Sequence, residues 1–582
     1  MTCRSPEALA LVLPALVACG PSLERPSAAA TPAAQPIWFV DIAKEAGLNI
    51  LLVGGSPDVD WIIDSVGVGG AWLDYDGDSD PDLYLAVGAT DDSPTLGPPD
   101  RLFRNDGDLD GNGVPSFTDV TTAAGLGDTL WSFGVAAADY DGDGNTDLYL
   151  LNWGPNRLYR NNGDGTFTDV ARTAGVDDEG WGVSASWSDV DRDGDLDLYL
   201  VNYVDFAFDR YPARGQALPG AGPAFTWKDV QVFYGPRGLR PGRNVYFRND
   251  GDPDRDGVPQ FSDATVAAGL VPPEHSYGLA ALFFDSDDDG DPDLYVANDS
   301  LANHYFVNRG DGTFDERGVL AGLAYNEQGH EQAGMGIAAG DYDLDGRLDL
   351  VVTNFSYDHD TLYHNDGAGL FTDLSFAGGL GGPTFLSLAW GVSFADLDHD
   401  GWEDLFIANG HVYPQVDMRD TGVTFRQANS VFRNTGDGRF LEVTQSCGPG
   451  LALVKNSRAV LPVDLDGDGD LDFAVTGLNE TPDLLRNDGA PGHWLQVRLE
   501  GALGNRQGIG ARVTIEAAGL RQTREITSTA AFAGSVLPVA HFGLGGATVV
   551  DRLEVRWPSG RRTEQAGVAA DRLVVLREPS RE

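Results

Sequence analysis

Three things are scarce in this 582-residue chain: cysteine, basic side chains and long apolar stretches. Of its three cysteines, Cys3 and Cys19 lie within the first twenty positions and Cys447 stands far downstream, which excludes a disulfide framework. Lysine and arginine number 39 against 89 acidic residues, so the formal charge is −50. A surface of that sign repels phosphate and excludes nucleic acid as a partner. Beyond the N-terminal residues, no apolar run approaches the ~20 residues needed to span a bilayer. Catalytic signatures are missing too. The nine histidines have no metal-ligand spacing, no Gly-x-Ser-x-Gly elbow occurs, and aspartate pairs are too numerous to nominate an acid and a base, so no catalytic residue is assigned. Glycine (75) and proline (32) are abundant, with aspartate and asparagine, the composition of short strands joined by tight turns.

Much of the aspartate belongs to one recurring loop. In its clearest form Asp139, Asp141, Asp143 and Asp147 occupy loop positions 1, 3, 5 and 9, Gly144 permits the bend at position 6, and Asn145 offers its backbone carbonyl at position 7. Such an array suits a hard cation with six to eight oxygen ligands at ~2.3 to 2.6 Å. No bidentate Glu follows at position 12; the strand-like run Leu148-Tyr149-Leu150 comes instead. The other copies are Asp74, Asp76, Asp78, Asp80 and Asp82; Asp189, Asp191, Asp193, Asp195 and Asp197; Asp285, Asp287, Asp289, Asp291 and Asp293; Asp341, Asp343, Asp345, Arg347 and Asp349; Asp396, Asp398, Asp400, Trp402 and Asp404; and Asp464, Asp466, Asp468, Asp470 and Asp472. Position 7 varies as a backbone ligand should, since even Arg347 and Trp402 can present a carbonyl. Position 6 is glycine except for Ser79 in the first loop. The expectation is about seven structural calcium ions, favoured over magnesium because the cage offers many oxygens.

Loop starts lie 50 to 96 residues apart, a spacing that suits four-stranded propeller blades with insertions. Each loop is followed by a hairpin such as Asn156 to Val170, so a unit reads as strand A, acidic loop, then strands B, C and D. D strands begin at Phe117, Phe167, Phe261, Phe314, Phe371 and Phe440, six behind seven loops. The missing one is expected from residues 38 to 42, pairing near Leu484 to close the ring and leave no major open edge. The predicted fold is therefore all-β: a seven-bladed β-propeller over residues 37–490, with calcium loops between strands A and B and an N-terminal closing strand, followed by a small β domain over 491–582.

The N-terminus has a thin positive region at Arg4 and a short apolar stretch from Ala8 to Val17. Leu16-Val17-Ala18-Cys19-Gly20 resembles the lipobox of bacterial lipoproteins. That resemblance implies a signal peptide over 1–19, lipidation at Cys19 and, with Gly20 following, an outer-membrane or cell-surface address. Residues 20–36, rich in alanine, proline and serine, are expected to form a tether.

The repeats resemble the FG-GAP or VCBS repeats of integrin α-chain propellers and bacterial surface proteins. Within them, Tyr295-Val296-Ala297-Asn298-Asp299 and Ala408 to Pro414 are similar to the cartilage acidic protein family. The tail segments Gly492 to Leu499, Asn505 to Val513, His541 to Gly545 and Val555 to Gly560 resemble the ASPIC/UnbV domain. Residues 491–582 hold twelve arginines and no lysine against nine acids, so the tail docks on the acidic propeller, captures an acidic partner, or carries an ordinary mixed-charge surface.

Three further features invite functional readings. Asn152, Asn202, Asn298, Asn354 and Asn409 recur after strand B and are a possible ligand face opposite the calcium loops, or fix local turns. The insertion from Asp205 to Arg243 is aromatic-rich and either forms a recognition surface or buries its own rings. Acids at 106–112 and 250–256 hold extra ions or are solvated tips. The reading is a monomeric, calcium-binding extracytoplasmic adhesion or binding protein whose scaffold recognises a protein or glycan. The alternative is a carbohydrate-active lyase or hydrolase using the channel face.

Overall fold

The computed structural model describes residues 37–217, 224–273, 275–489, 492–502, 504–530 and 532–580. Residues 1–36, on which the signal-peptide, lipidation and tether expectations fall, lie outside the described residues.

The period-two and apolar-run patterns produce seven four-stranded antiparallel sheets of one design. Their inner strands are Gly70–Leu73, Trp131–Ala138, Gly182–Ser188, Gly278–Phe284, Ile337–Gly340, Ala389–Ala395 and Ser457–Val463, here called the A strands of sheets 1 to 7. The acidic loop leads into strand B, as in Asp147–Trp153, followed by strands C and D, Arg157–Asn161 and Phe167–Asp169 in sheet 2. Each A strand neighbours the next, and that of sheet 7 neighbours that of sheet 1. The arrangement is a β-propeller.

In sheet 7 the fourth strand is Phe39–Asp41, paired with Asp483–Asn487 in the register Phe39↔Asn487 and Asp41↔Leu485. Phe39 is buried between Phe406 and Phe473, so the pairing is fixed by packing as well as by the ladder.

Strands A and B are buried on both faces because each sheet lies between two others, which is why Leu148-Tyr149-Leu150 and its counterparts read as continuous apolar runs. D strands lie at the outer edge and are more exposed: in Phe167–Asp169 only the phenylalanine is buried.

The tail contains a three-stranded sheet (Val539–Gly545, His493–Glu500, Arg572–Arg577) and a four-stranded one (Leu520–Glu525, Arg512–Ala517, Val549–Arg556, Arg562–Ala569). Their facing sides enclose a core containing Leu495, Val513, Phe542 and Trp557. The sequence marks strands at Trp494 to Leu499, Ala511 to Ala517, Arg521 to Thr527, Arg552 to Trp557 and Leu573 to Leu576, but not Val539–Gly545 or Arg562–Ala569. The latter is mostly exposed and carries no apolar alternation.

Between the two tail sheets the chain leaves its own domain. The segment from Ser528 to Leu537 enters the propeller channel: Ser535 forms a parallel bridge with Ala71, Trp72 and Val135 donate backbone N–H bonds to Ser535 and Ala533, and Thr529 meets Ser186. Phe532 is fully buried against Trp390, with centroids 4.9 Å apart.

At the far end the channel is filled by Ile62, Ile63 and the Asp205–Arg243 insertion. Phe206 and Phe233 are buried there, and Trp227 packs on Phe355, His411 and Tyr413. Most described rings of the insertion turn inward, so its reading as an open recognition surface is corrected; only Phe225 among its described aromatics is exposed.

Candidate functional site: the acidic loops and the tail that covers them

Each loop is built by a repeated set of side chain to backbone bonds. The position 1 carboxylate accepts the position 6 N–H, as Asp139 does from Gly144 at 2.9 Å. Position 5 accepts the position 7 N–H, including those of Asn145, Arg347 and Trp402, so the side chain at position 7 need not be a ligand. Position 9 is the anchor. Asp147 accepts the N–H of Tyr140 through one oxygen and that of Asn161 through the other, at 3.2 and 2.7 Å, joining loop, strand B and strand C.

These bonds leave other carboxylate oxygens turned inward. Ligand atoms of Asp139, Asp141 and Asp147 lie within 4.8 Å of one another, as do those of Asp74, Asp76 and Asp78, and of Asp189, Asp191 and Asp193. Asp139 Oδ1, Asp285 Oδ1, Asp396 Oδ1 and both oxygens of Asp398 are buried without a hydrogen-bond partner among the described residues. Burial and the neighbouring aspartates push these groups up: Asp139 to about 7, Asp398 to about 7 and Asp82 to about 8. Packed carboxylates that repel one another, with orphaned oxygens at the centre, fit a divalent cation.

The loops are not equivalent. Arg347 turns back to pair with Asp345, and His364 approaches Asp349 at 3.2 Å, so the fifth loop contains its own cation, Arg347, and a histidine beside it. In the fourth, Arg512 and Arg556 of the tail reach Asp288 at 3.2 and 2.9 Å, and Arg556 also pairs with Asp285.

Backbone conformation sets a second pattern. Position 6 has positive φ in all seven loops, from Gly346 at 90° to Gly194 at 102°, with Ser79 at 77°. Position 4 is also left-handed, with φ of 70° at Gly142 and 56 to 64° at Arg192, Asp288, Leu344 and His399. Sequence reading noted position 6 alone, although glycine at position 4 in three loops (Gly77, Gly142, Gly467) signals the second bend.

Sequence reading also passed over the asparagine of the strand C turn, present in all seven units as Asn105, Asn161, Asn249, Asn308, Asn365, Asn434 and Asn487. Asn161 donates to Tyr75 O of the preceding sheet at 2.9 Å, and Asn308, Asn365, Asn434 and Asn487 make the same tie to Val190, Ser286, Tyr342 and Leu397. The acidic loop of one sheet is thus fastened to strand C of the next. The recurring Asn-x-Gly was the available signal.

The other asparagine set is corrected. Asn152, Asn202, Asn298, Asn354 and Asn409 are buried to 2 % exposure or less. Their amides donate to nearby turns: Asn152 to Pro155 O, Asn202 to Arg243 O, Asn298 to Ala302 O, Asn354 to His359 O and Asn409 to Ala428 O. They fix turns and do not form an open ligand ring.

The tail lies on the loop face. Arg524 pairs with Glu403 at 3.0 Å, Gln496 donates to Asp464 at 2.8 Å, and Gln507 accepts from Asp139 N at 3.1 Å. His399 and His541 both donate through Nε2 to Gly469 O, at 2.9 and 2.7 Å. Arg506, Arg512, Arg524 and Arg556 thus reach the propeller, whereas Arg552, Arg561, Arg562 and Arg577 pair with acids of the tail itself.

Comparisons with known proteins agree on the two parts. The ASPIC and UnbV family matches residues 501–582, and the FG-GAP-like repeat family matches 74–150, 139–200, 285–352, 341–407 and 419–497. Human cartilage acidic protein 1 is 29 % identical over 282 residues, covering 46 % of this chain and 39 % of that protein; the mouse protein is 27 % identical over 296 residues, covering 49 % and 42 %. The chain thus aligns with less than half the length of these relatives. Among solved structures, a lectin of Agrocybe aegerita that recognises non-reducing terminal N-acetylglucosamine aligns with 70 % of this chain and 92 % of its own, at 15 % identity and a TM-score of 0.36. A Bacillus licheniformis rhamnogalacturonan lyase aligns with 77 % of this chain and 75 % of its own, at 12 % identity and a TM-score of 0.35. With repeat matches over more than half of its length, the chain belongs to the FG-GAP-like repeat family and carries a C-terminal ASPIC and UnbV domain, with homology to cartilage acidic protein 1 over part of its length.

Proposed function

We propose that this chain is a monomeric, calcium-loaded extracytoplasmic protein whose propeller is a rigid scaffold for recognising a protein or glycan. The observation that carries the calcium reading is the set of buried, unpartnered carboxylate oxygens converging in the loops. Positions 1, 3, 5 and 9, with the carbonyl of position 7, would hold the ion. It would neutralise mutual repulsion between carboxylates and brace strand A against strand B. No helix pair flanks these loops to open on binding, so the ions are structural rather than sensory. Among the described residues, no helix is long and apolar enough to cross a membrane. Attachment is assigned to a lipid at Cys19, and the kinship to cartilage acidic protein 1 supports an extracytoplasmic place.

Elemental analysis of the dialysed protein and thermal unfolding with calcium or EDTA test the metal. Several calcium ions per chain and a large fall in Tm with EDTA are expected; an unchanged Tm refutes the structural role. Cys19→Ala is expected to release the protein from the membrane fraction, and a glycan array read beside a product assay separates binding from turnover.

A further inference from the structure

The plug does not fill the channel evenly. Its hydrogen bonds to the propeller, among the described residues, go to the inner strands of sheets 1 to 3: Ser535 to Gly70, Ala71 and Ala137, Ala533 to Val135, and Thr529 to Ser186. Opposite, between the plug and the inner strands of sheets 4 to 7, a cavity of about 230 Å³ remains. Leu282, Ile337, Val392, Val460, Leu537 and Ala540 give it apolar wall, and Asp396, Asp464 and Glu525 line it as well. One part is polar. Glu403 and Arg524 line it at 4 % and 8 % exposure, and their contact joins Oε1 to Nε at 3.0 Å. Glu403 Oε2 and Arg524 Nη2 have no partner among the described residues. Glu403 Oε2 lies against Gly340 on the cavity wall, 2.6 Å from where a Cβ would stand, so the glycine leaves room for it. His541 donates through Nε2 to Gly469 O, which leaves Nδ1 as an acceptor, also unpartnered.

The cavity adjoins a wider one. Asp464, Gln496 and Leu537 line both it and a wider cleft of about 1380 Å³ between the loops of sheets 1, 2 and 7 and the tail. Buried polar groups ordinarily find partners, and an apolar chamber with a few convergent polar atoms is the form of a small-molecule site.

We propose that this chamber binds a small neutral alcohol or phenol, its hydroxyl donating to Glu403 Oε2 and accepting from Arg524 Nη2 while its hydrocarbon part lies against the apolar walls. A hydroxyl satisfies both unpaired atoms with one group. A carboxylate would meet Glu403 at close range, and a plain hydrocarbon would leave both atoms orphaned.

The test uses the full chain with calcium and p-cresol as the probe, against toluene of the same shape without the hydroxyl. Titration calorimetry is expected to show one p-cresol per chain, bound at least about tenfold more tightly than toluene, the loss expected when hydrogen bonds to charged groups go unmade. A crystal soaked in p-cresol is expected to show the ring in the chamber. Val392→Phe, which fills the space, is expected to abolish binding while far-ultraviolet circular dichroism stays unchanged. Ordered water alone in the soaked chamber, equal affinity for p-cresol and toluene, or undiminished binding by folded V392F would each overturn the proposal. Should V392F not fold, the wild-type soak and the toluene comparison decide.

Discussion

At the residue scale, the loops store strain where a side chain occupies a left-handed position. Ser79 holds φ of 77° where its six counterparts are glycine. A non-glycine residue there costs about 1 to 2 kcal/mol, so Ser79→Gly is expected to stabilise the protein by about 1 kcal/mol and Gly144→Ser to destabilise it similarly, read as opposite shifts in urea midpoint at constant calcium. The carboxylates predict a pH dependence of definite sign. Burial raises Asp82 and Asp341 from an ordinary 3.8 to about 8 in the ion-free fold. Their stabilising contribution is complete below the unfolded value and is lost as pH rises through about 8. The ion-free protein is therefore expected to melt higher near pH 5 than near pH 8, and calcium to raise Tm more at the higher pH. Calorimetry with EDTA and with calcium at both values checks this; a calcium effect larger near pH 5 would contradict it.

At the element scale, sheets are joined by more than apolar packing. Asn161 donates to Tyr75 O across the sheet boundary and to Thr146 O within its own sheet, and its carbonyl accepts from Gly163 N. Asn161→Ala is expected to cost about 1 to 3 kcal/mol, because buried carbonyls lose their donor. Protection from hydrogen exchange should fall in the loop after Leu73 as well as in the mutated sheet; loss confined to the mutated turn would show that the tie is idle. The plug adds to its hydrogen bonds one buried ring. Phe532 is fully buried beside Trp390, and Phe532→Ala is expected to cost about 3 to 5 kcal/mol through the void it leaves, seen as a lowered urea midpoint.

For the whole molecule, propeller and tail share surfaces that neither satisfies alone. Arg458, fully buried over Trp390 at 4.3 Å, has carbonyls for partners, among them Ser65 O, Val66 O and Gly410 O, and so pins the far mouth shut. At the other mouth the tail supplies the plug. A chain ending after Gly489 would open the channel between sheets 1 and 3 and leave Trp72 N and Val135 N without acceptors. It is expected to melt lower than the full chain and to bind an apolar dye such as ANS; equal melting and no dye binding would show that the tail is a passive appendage.

The sequence by itself determined everything that depends on spacing along a few residues. Alternate aspartates with a bend at position 6 close one loop, the following apolar run forms one strand, and seven repetitions with one missing D strand imply that Phe39–Asp41 completes the last sheet. These are local interactions and a count, and both are written in one dimension. Tertiary structure alone decided what the repeats enclose. Asn152 and its counterparts could equally have faced solvent or turned into their own loops, and neighbouring carbonyls such as Pro155 O settled the choice. The aromatic insertion turned inward because the far mouth of the ring needed apolar cover, and Ser528 to Leu537 became a plug because the inner strands of sheets 1 and 2 had backbone groups left to pair. Those outcomes depend on contacts between residues hundreds of positions apart, where burial and hydrogen-bond satisfaction, rather than spacing, select the conformation.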